Sequence, residues 1–157
     1  MLGTRLLKTV LALAVPLLII GCNENAEPDP PPPATQVAHS KIFVKKSFDE
    51  AMAAADAEGK VLFVDVVTSW CVPCKEMDKS TWLDENLAEW FAEHAVAIKI
   101  DTGDDVQFRV DHGIKKWPTF LIFKDGEELA RDTDGYKTAD ELITWLEDEL
   151  KDIEKKG

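Results

Sequence analysis

The sequence predicts an α/β domain, a central mixed β-sheet with helices on both faces. Three features predict it. Val61 to Val67 and Ala95 to Asp101 are almost unbroken apolar runs, the pattern of strands covered on both sides. Segments with helical apolar spacing alternate with them, so the first strands form a parallel pair joined by a crossover. Asp125-Gly126 then separates two further short runs, a hairpin signal that adds an antiparallel edge.

The elements follow in order from near Ser40. Ile42-Phe43-Val44 reads as a short strand. Ser47 with Glu50 forms a capping box, after which Phe48, Ala51, Met52 and Ala55 share one helical face until Gly59. The strand Val61 to Val67 is interrupted by one charged residue, Asp65. A helix is expected from about Cys71 to Lys79, and another after Asp84 with Leu87, Trp90 and Phe91 inward. The strand Ala95 to Asp101 is followed by a short helix, Asp104 to His112, stopped at Gly113. Thr119 to Lys124 and Glu127 to Arg131 make the hairpin. Thr138 with Glu141 is a second capping box, opening a last helix that buries Leu142, Leu146, Leu150 and Ile153.

The first residues do not belong to this domain. Arg5 and Lys8 precede an uncharged apolar stretch, Val10 to Ile20, that contains Pro16. It is shorter than the roughly 20 residues a spanning helix needs, so residues 1–21 read as an export signal. The segment ends in Ile19-Ile20-Gly21-Cys22, which resembles a bacterial lipobox. That resemblance implies lipid on Cys22 and an exported protein held on the periplasmic side of a membrane. An ordinary signal peptide or an uncleaved anchor is the alternative. Residues 22–39 include four consecutive prolines and form a semi-rigid, extended linker, leaving 40–157 as the folded domain. The formal net charge of −12 argues against a nucleic-acid partner, and cleavage of the signal would remove Arg5 and Lys8 as well.

Three cysteines are present, and lipidation of Cys22 leaves Cys71 and Cys74, in a compartment where disulfides form. The pair lies between a buried strand and a helix start. There, free backbone N–H groups and the helix dipole favour a thiolate, so Cys71 reads as the nucleophile and Cys74 as the less exposed resolving thiol. Pro73 suits the first helical turn. A zinc site would need about four ligands, and His39, His94 and His112 lack the spacing. Haem attachment needs a His where Lys75 stands. A purely structural disulfide across so short a loop would stabilise little. Asp65, in an apolar run, reads either as a strand-edge residue or as a proton acceptor for Cys74. Lys99 on the next strand is its natural countercharge, though alone it would read as an exposed strand residue. Trp117-Pro118-Thr119 reads as an ordinary strand start or as a cis-proline turn.

Together Asp65, Trp70-Cys71-Val72-Pro73-Cys74-Lys75, Lys99, Gly113-Ile114 with Pro118-Thr119, Phe123-Lys124-Asp125-Gly126-Glu127 and Gly135 resemble the thioredoxin family. The resemblance covers about residues 45 to 152. The segment from Cys74 to Leu87 looks most like the periplasmic thioredoxin-like domain of transmembrane disulfide reductases. It implies the thioredoxin fold and a thiol–disulfide oxidoreductase with Cys71, Cys74, Asp65 and Lys99 as catalytic residues. It implies a cis Pro118 beside the Cys pair, with Trp70, Trp117, Pro118 and Thr119 shaping a substrate groove. Protein disulfides are the implied substrates, a transmembrane thiol relay the implied electron donor, and no metal or organic cofactor is implied. Val67 stands where thioredoxins usually carry Trp, and Trp117 where a smaller aliphatic is usual. A non-catalytic binding or holdase module and a disulfide-donating oxidase share the scaffold. Val72 and Pro73 bring no side-chain donor to the thiolate, which favours reduction or isomerisation over oxidation.

Overall fold

The computed structural model describes residues 41–156. The expected signal segment, Cys22 and the whole Pro-rich linker lie outside the described residues. Helix α1 is Phe48–Glu58, strand β1 Val61–Val67, helix α2 Val72–Lys79 and helix α3 Glu85–His94. Strand β2 is Ala95–Asp101, helix α4 Val106–Asp111, strands β3 and β4 are Thr119–Lys124 and Glu127–Asp132, and helix α5 is Ala139–Lys156. The sheet order is β2-β1-β3-β4. β1 and β2 are parallel, while β3 runs antiparallel to both β1 and β4.

Side chains of β1 alternate between two cores. Val61 and Phe63 face Met77, Trp82, Leu87, Trp90, Phe91, Leu142 and Leu146, so α2, α3 and α5 cover that side. Leu62, Val64 and Val66 face Ala51, Met52, Ala55, Phe108 and Ile114, from α1, α4 and the loop after it. Every residue of β1 is buried, the reason its sequence shows no polar alternation. Asp65 lies on the first face, between Phe63 and Val67.

Two local expectations change, the strand at Ile42-Phe43-Val44 and the burial of Leu150 and Ile153. Ile42-Phe43-Val44 does not form a named strand; Phe43 makes one parallel bridge to Ala97, with the Val44 N–H donating to the Ala97 carbonyl at 2.9 Å. Lys45 and Lys46 follow at once and are exposed, so the apolar run is too short to extend the ladder. Thr81–Leu83 forms a 3₁₀ turn between α2 and α3 that seats the Trp82 ring, 1% exposed, beside Phe43, Phe63 and Phe120. At the far end, Leu142 and Leu146 are buried, whereas Leu150 and Ile153 only pack against the rim of that core.

Candidate active site

The chain leaves β1 at Val67 and turns at Thr68. The Thr68 carbonyl accepts the Cys71 N–H at 3.1 Å, which brings the first cysteine to the mouth of α2. Cys71 is the N-cap, in extended conformation, and its sulfur accepts the Cys74 N–H at 3.2 Å. A sulfur thus takes the place a Ser or Asp oxygen usually holds at a helix start, and the same geometry stabilises negative charge there. Pro73 lies in the first turn, where its missing N–H costs nothing. Cys71 and Cys74 are joined in a disulfide, S–S 2.06 Å.

Exposure does not separate the two sulfurs. Cys71 and Cys74 are each 3% exposed, against the expectation of an open Cys71. The physical reason is the aromatic and aliphatic cover: the cysteines cluster with Val67, and Trp117 packs against that cluster. The exposed neighbours are Trp70 and Val72, each at 64%. What distinguishes Cys71 is the N-cap hydrogen bond, which Cys74 lacks as an acceptor.

On the same face of β1 as Val67, which clusters with the cysteines, lies Asp65, 1% exposed. The β1–β2 register sets Lys99 directly opposite it. Lys99 Nζ stands 3.2 Å from Asp65 Oδ2 and donates a short hydrogen bond to Asp78 Oδ1. Asp78 is four residues beyond Cys74, one turn along α2, which aims it back at the same face. The ammonium also lies 4.8 Å from the centre of the Phe43 ring and 5.4 Å from that of Trp82. Burial pushes the Lys99 ammonium toward its neutral form. Asp65 and Asp78 outweigh that and hold its pKa above the ordinary lysine value.

The third side is the loop before β3. The Trp117–Pro118 peptide bond is cis. Trp117 is half-buried, and its ring meets Trp70 edge-on, centroids 4.9 Å apart. Thr119 is buried, pairs with Val66 across the β1–β3 ladder and donates from its hydroxyl to the Lys116 carbonyl at 2.8 Å. Its side chain therefore fixes the turn. The sequence-chosen residues Cys71, Cys74, Trp70 and Trp117 meet here, and Asp65 pairs with Lys99 as expected. Two neighbours escaped the sequence reading. Asp78 had a usable signal, its helical spacing from Cys74. Thr102, in the loop after β2, had none. Among the described residues no group of three or more His, Cys, Asp or Glu side chains could hold a metal ion.

The model of the thioredoxin-like domain family matches residues 48–150. The chain belongs to that family. Its members are thiol–disulfide oxidoreductases, and this thioredoxin-like chain carries the joined CxxC pair that such chemistry uses. It is 33% identical over 104 residues to the thiol:disulfide interchange protein DsbD of Pseudoalteromonas atlantica, covering 61% of this chain and 17% of the relative. It is also 33% identical over 121 residues to the chloroplastic thioredoxin Y1 of Arabidopsis thaliana, covering 74% of this chain and 66% of that one. The chain therefore spans under two thirds of the length of either relative. Among solved structures, a candidate disulphide-isomerase of Bacteroides thetaiotaomicron superposes with TM-score 0.60 and 36% identity, covering 69% of this chain and 91% of that one. A thioredoxin of Thermus thermophilus, 20% identical, superposes with the same score, over 68% of this chain and 86% of that one, and speaks for the fold alone.

Proposed function

We propose that this protein is a membrane-anchored thiol–disulfide oxidoreductase that reduces or isomerises protein disulfides on the periplasmic side of a bacterial membrane. The observation that carries the chemistry is the Cys71 sulfur at the N-cap of α2, accepting the Cys74 N–H. In the reduced protein the Cys71 thiolate attacks one sulfur of a substrate disulfide. One substrate thiolate leaves, and a mixed disulfide remains on Cys71. Cys74 then gives up its proton and attacks the Cys71 sulfur. The second substrate thiolate leaves, two electrons have passed to the substrate, and the Cys71–Cys74 disulfide remains. Asp65 is the acceptor for the Cys74 proton, and Lys99 offsets the carboxylate's charge in its buried position.

Resetting the site needs two electrons from another dithiol. The likeness to part of a DsbD supports a transmembrane thiol relay as that donor. The lipobox-like Ile19-Ile20-Gly21-Cys22 supports anchoring through lipid on Cys22, with residues 22–39 as the spacer. Insulin reduction in the presence of dithiothreitol tests the activity: turnover that vanishes in Cys71→Ser is expected, and no turnover by the wild type would leave a binding module. Intact mass of membrane-extracted protein tests the anchor: a diacyl or triacyl adduct at Cys22 is expected, and an unmodified soluble chain would overturn it.

A further inference from the structure

We propose that Thr102 is a positioning residue, holding the Trp117 indole as a fixed wall beside the disulfide for docking of polypeptide substrates. This rests on the disulfide-exchange reading above and names the group that shapes its docking surface. Thr102 follows the last residue of β2 and is 3% exposed. Its hydroxyl accepts the Trp117 Nε1–H at 2.8 Å and lies 3.1 Å from the Val67 carbonyl, to which it donates. The direction is forced, because an indole N–H only donates and a carbonyl only accepts. The Thr102 N–H donates to the same carbonyl at 3.0 Å.

One buried hydroxyl thereby ties three segments together. They are the end of β1 that leads into the cysteine turn, the loop after β2, and the residue before the cis bond at Pro118. Trp117 packs on Val67, Cys71 and Cys74 and meets the exposed Trp70 edge-on, rings 72° apart. Packing alone confines the indole to a slot; the hydrogen bond sets how it lies in that slot. Loss of the acceptor leaves a half-buried N–H without a protein partner, a penalty large enough to change an equilibrium about tenfold. The ring then turns its nitrogen toward water, away from Val67, and the edge contact with Trp70 is lost. A polypeptide lying across both rings depends on that wall. A small disulfide that meets only Cys71 depends on it far less.

The test compares Thr102→Val, which keeps shape without the hydroxyl, with Thr102→Ser, which keeps the hydroxyl. Two readouts are taken on the full chain: KM and kcat for insulin and for glutathione disulfide, and solvent exchange of the Trp117 indole proton by NMR. In Thr102→Val the KM for insulin should rise about fivefold to tenfold, a shift several times larger than for glutathione disulfide, with kcat changed less than KM. Indole exchange should accelerate, and Thr102→Ser should restore both. Equal changes for the two substrates, or an unaltered KM, would overturn the proposal and leave Thr102 a structural residue. If Thr102→Val does not fold, Trp117→Phe removes the same N–H and must show the same substrate asymmetry. If the wild type reduces neither disulfide, the functional reading fails. The proposal then falls with it, whereas turnover without the substrate asymmetry overturns the proposal alone.

Discussion

Asp65 concentrates the site's electrostatics in a single side chain. It lies 1% exposed on an apolar strand, 3.2 Å from Lys99, whose ammonium also pairs with Asp78. Asp65→Asn should therefore slow release of the mixed disulfide by roughly a hundredfold, the usual scale of general-base loss, while the first attack by Cys71 is little changed. Stopped-flow measurement of the two steps checks this, and an unaltered release step would remove Asp65 from the mechanism. The same substitution should cost little stability, because Lys99 keeps Asp78. Lys99→Met is expected to cost about 3 kcal/mol in urea unfolding, because the ammonium beside a buried carboxylate is gone. The contrast also marks which of these residues were legible in the sequence. Asp65 stood out because a charge in an apolar run demands a reason, and Lys99 because adjacent strands offer it one. Asp78 carried only its helical spacing from Cys74, and Thr102, in the loop after β2, gains its partners only in the packed fold.

At the scale of elements, periodicity and punctuation made most of the fold legible. The capping boxes at Ser47/Glu50 and Thr138/Glu141 are both formed, each with the glutamate accepting the N-cap N–H, at 2.9 and 2.8 Å. The unbroken apolar runs became the central strands, and Asp125-Gly126 became the hairpin turn, with both residues at positive φ. The departures lie at the margins: a single bridge at Phe43 instead of a strand, and Leu150 and Ile153 only partly buried in α5. The boxes also give a pH prediction. Hydrogen bonds from Ser47 and Thr138 hold the Glu50 and Glu141 carboxyls below their ordinary value of 4.5. A carboxyl lowered in the folded state contributes stability above its unfolded value, and that contribution is lost as pH falls through the lowered folded one. Glu can be replaced by Gln in such a box without a titrating charge. The double variant Glu50→Gln with Glu141→Gln should therefore show a shallower fall of Tm than the wild type as pH drops below 4.5. Parallel slopes in thermal unfolding would show that the boxes do not contribute to acid sensitivity.

For the whole molecule the open quantity is the direction of exchange, and it follows from how strongly the reduced form is stabilised as a thiolate. Strong oxidants of this fold have a Cys pKa of about 3.5, against about 7 in thioredoxin. That gap is worth nearly 5 kcal/mol, roughly two thirds of the ~7 kcal/mol between potentials of about −120 and −270 mV. Here the Cys71 sulfur has the helix start and one backbone N–H in its favour. Val72 points its side chain to solvent and Pro73 offers no N–H, so the residues between the cysteines add no further donor. Asp65 and Asp78 both lie within ion-pair distance of the Lys99 ammonium. The chain as a whole carries −12, and each of these charges opposes another anion on sulfur. Their sum predicts a reductant, with a potential below about −200 mV. Equilibration with graded dithiothreitol or glutathione buffers, followed by thiol trapping, measures it directly. A potential near −120 mV would mean that the thiolate is held far more tightly than these contacts explain, and the protein would then donate disulfides rather than remove them.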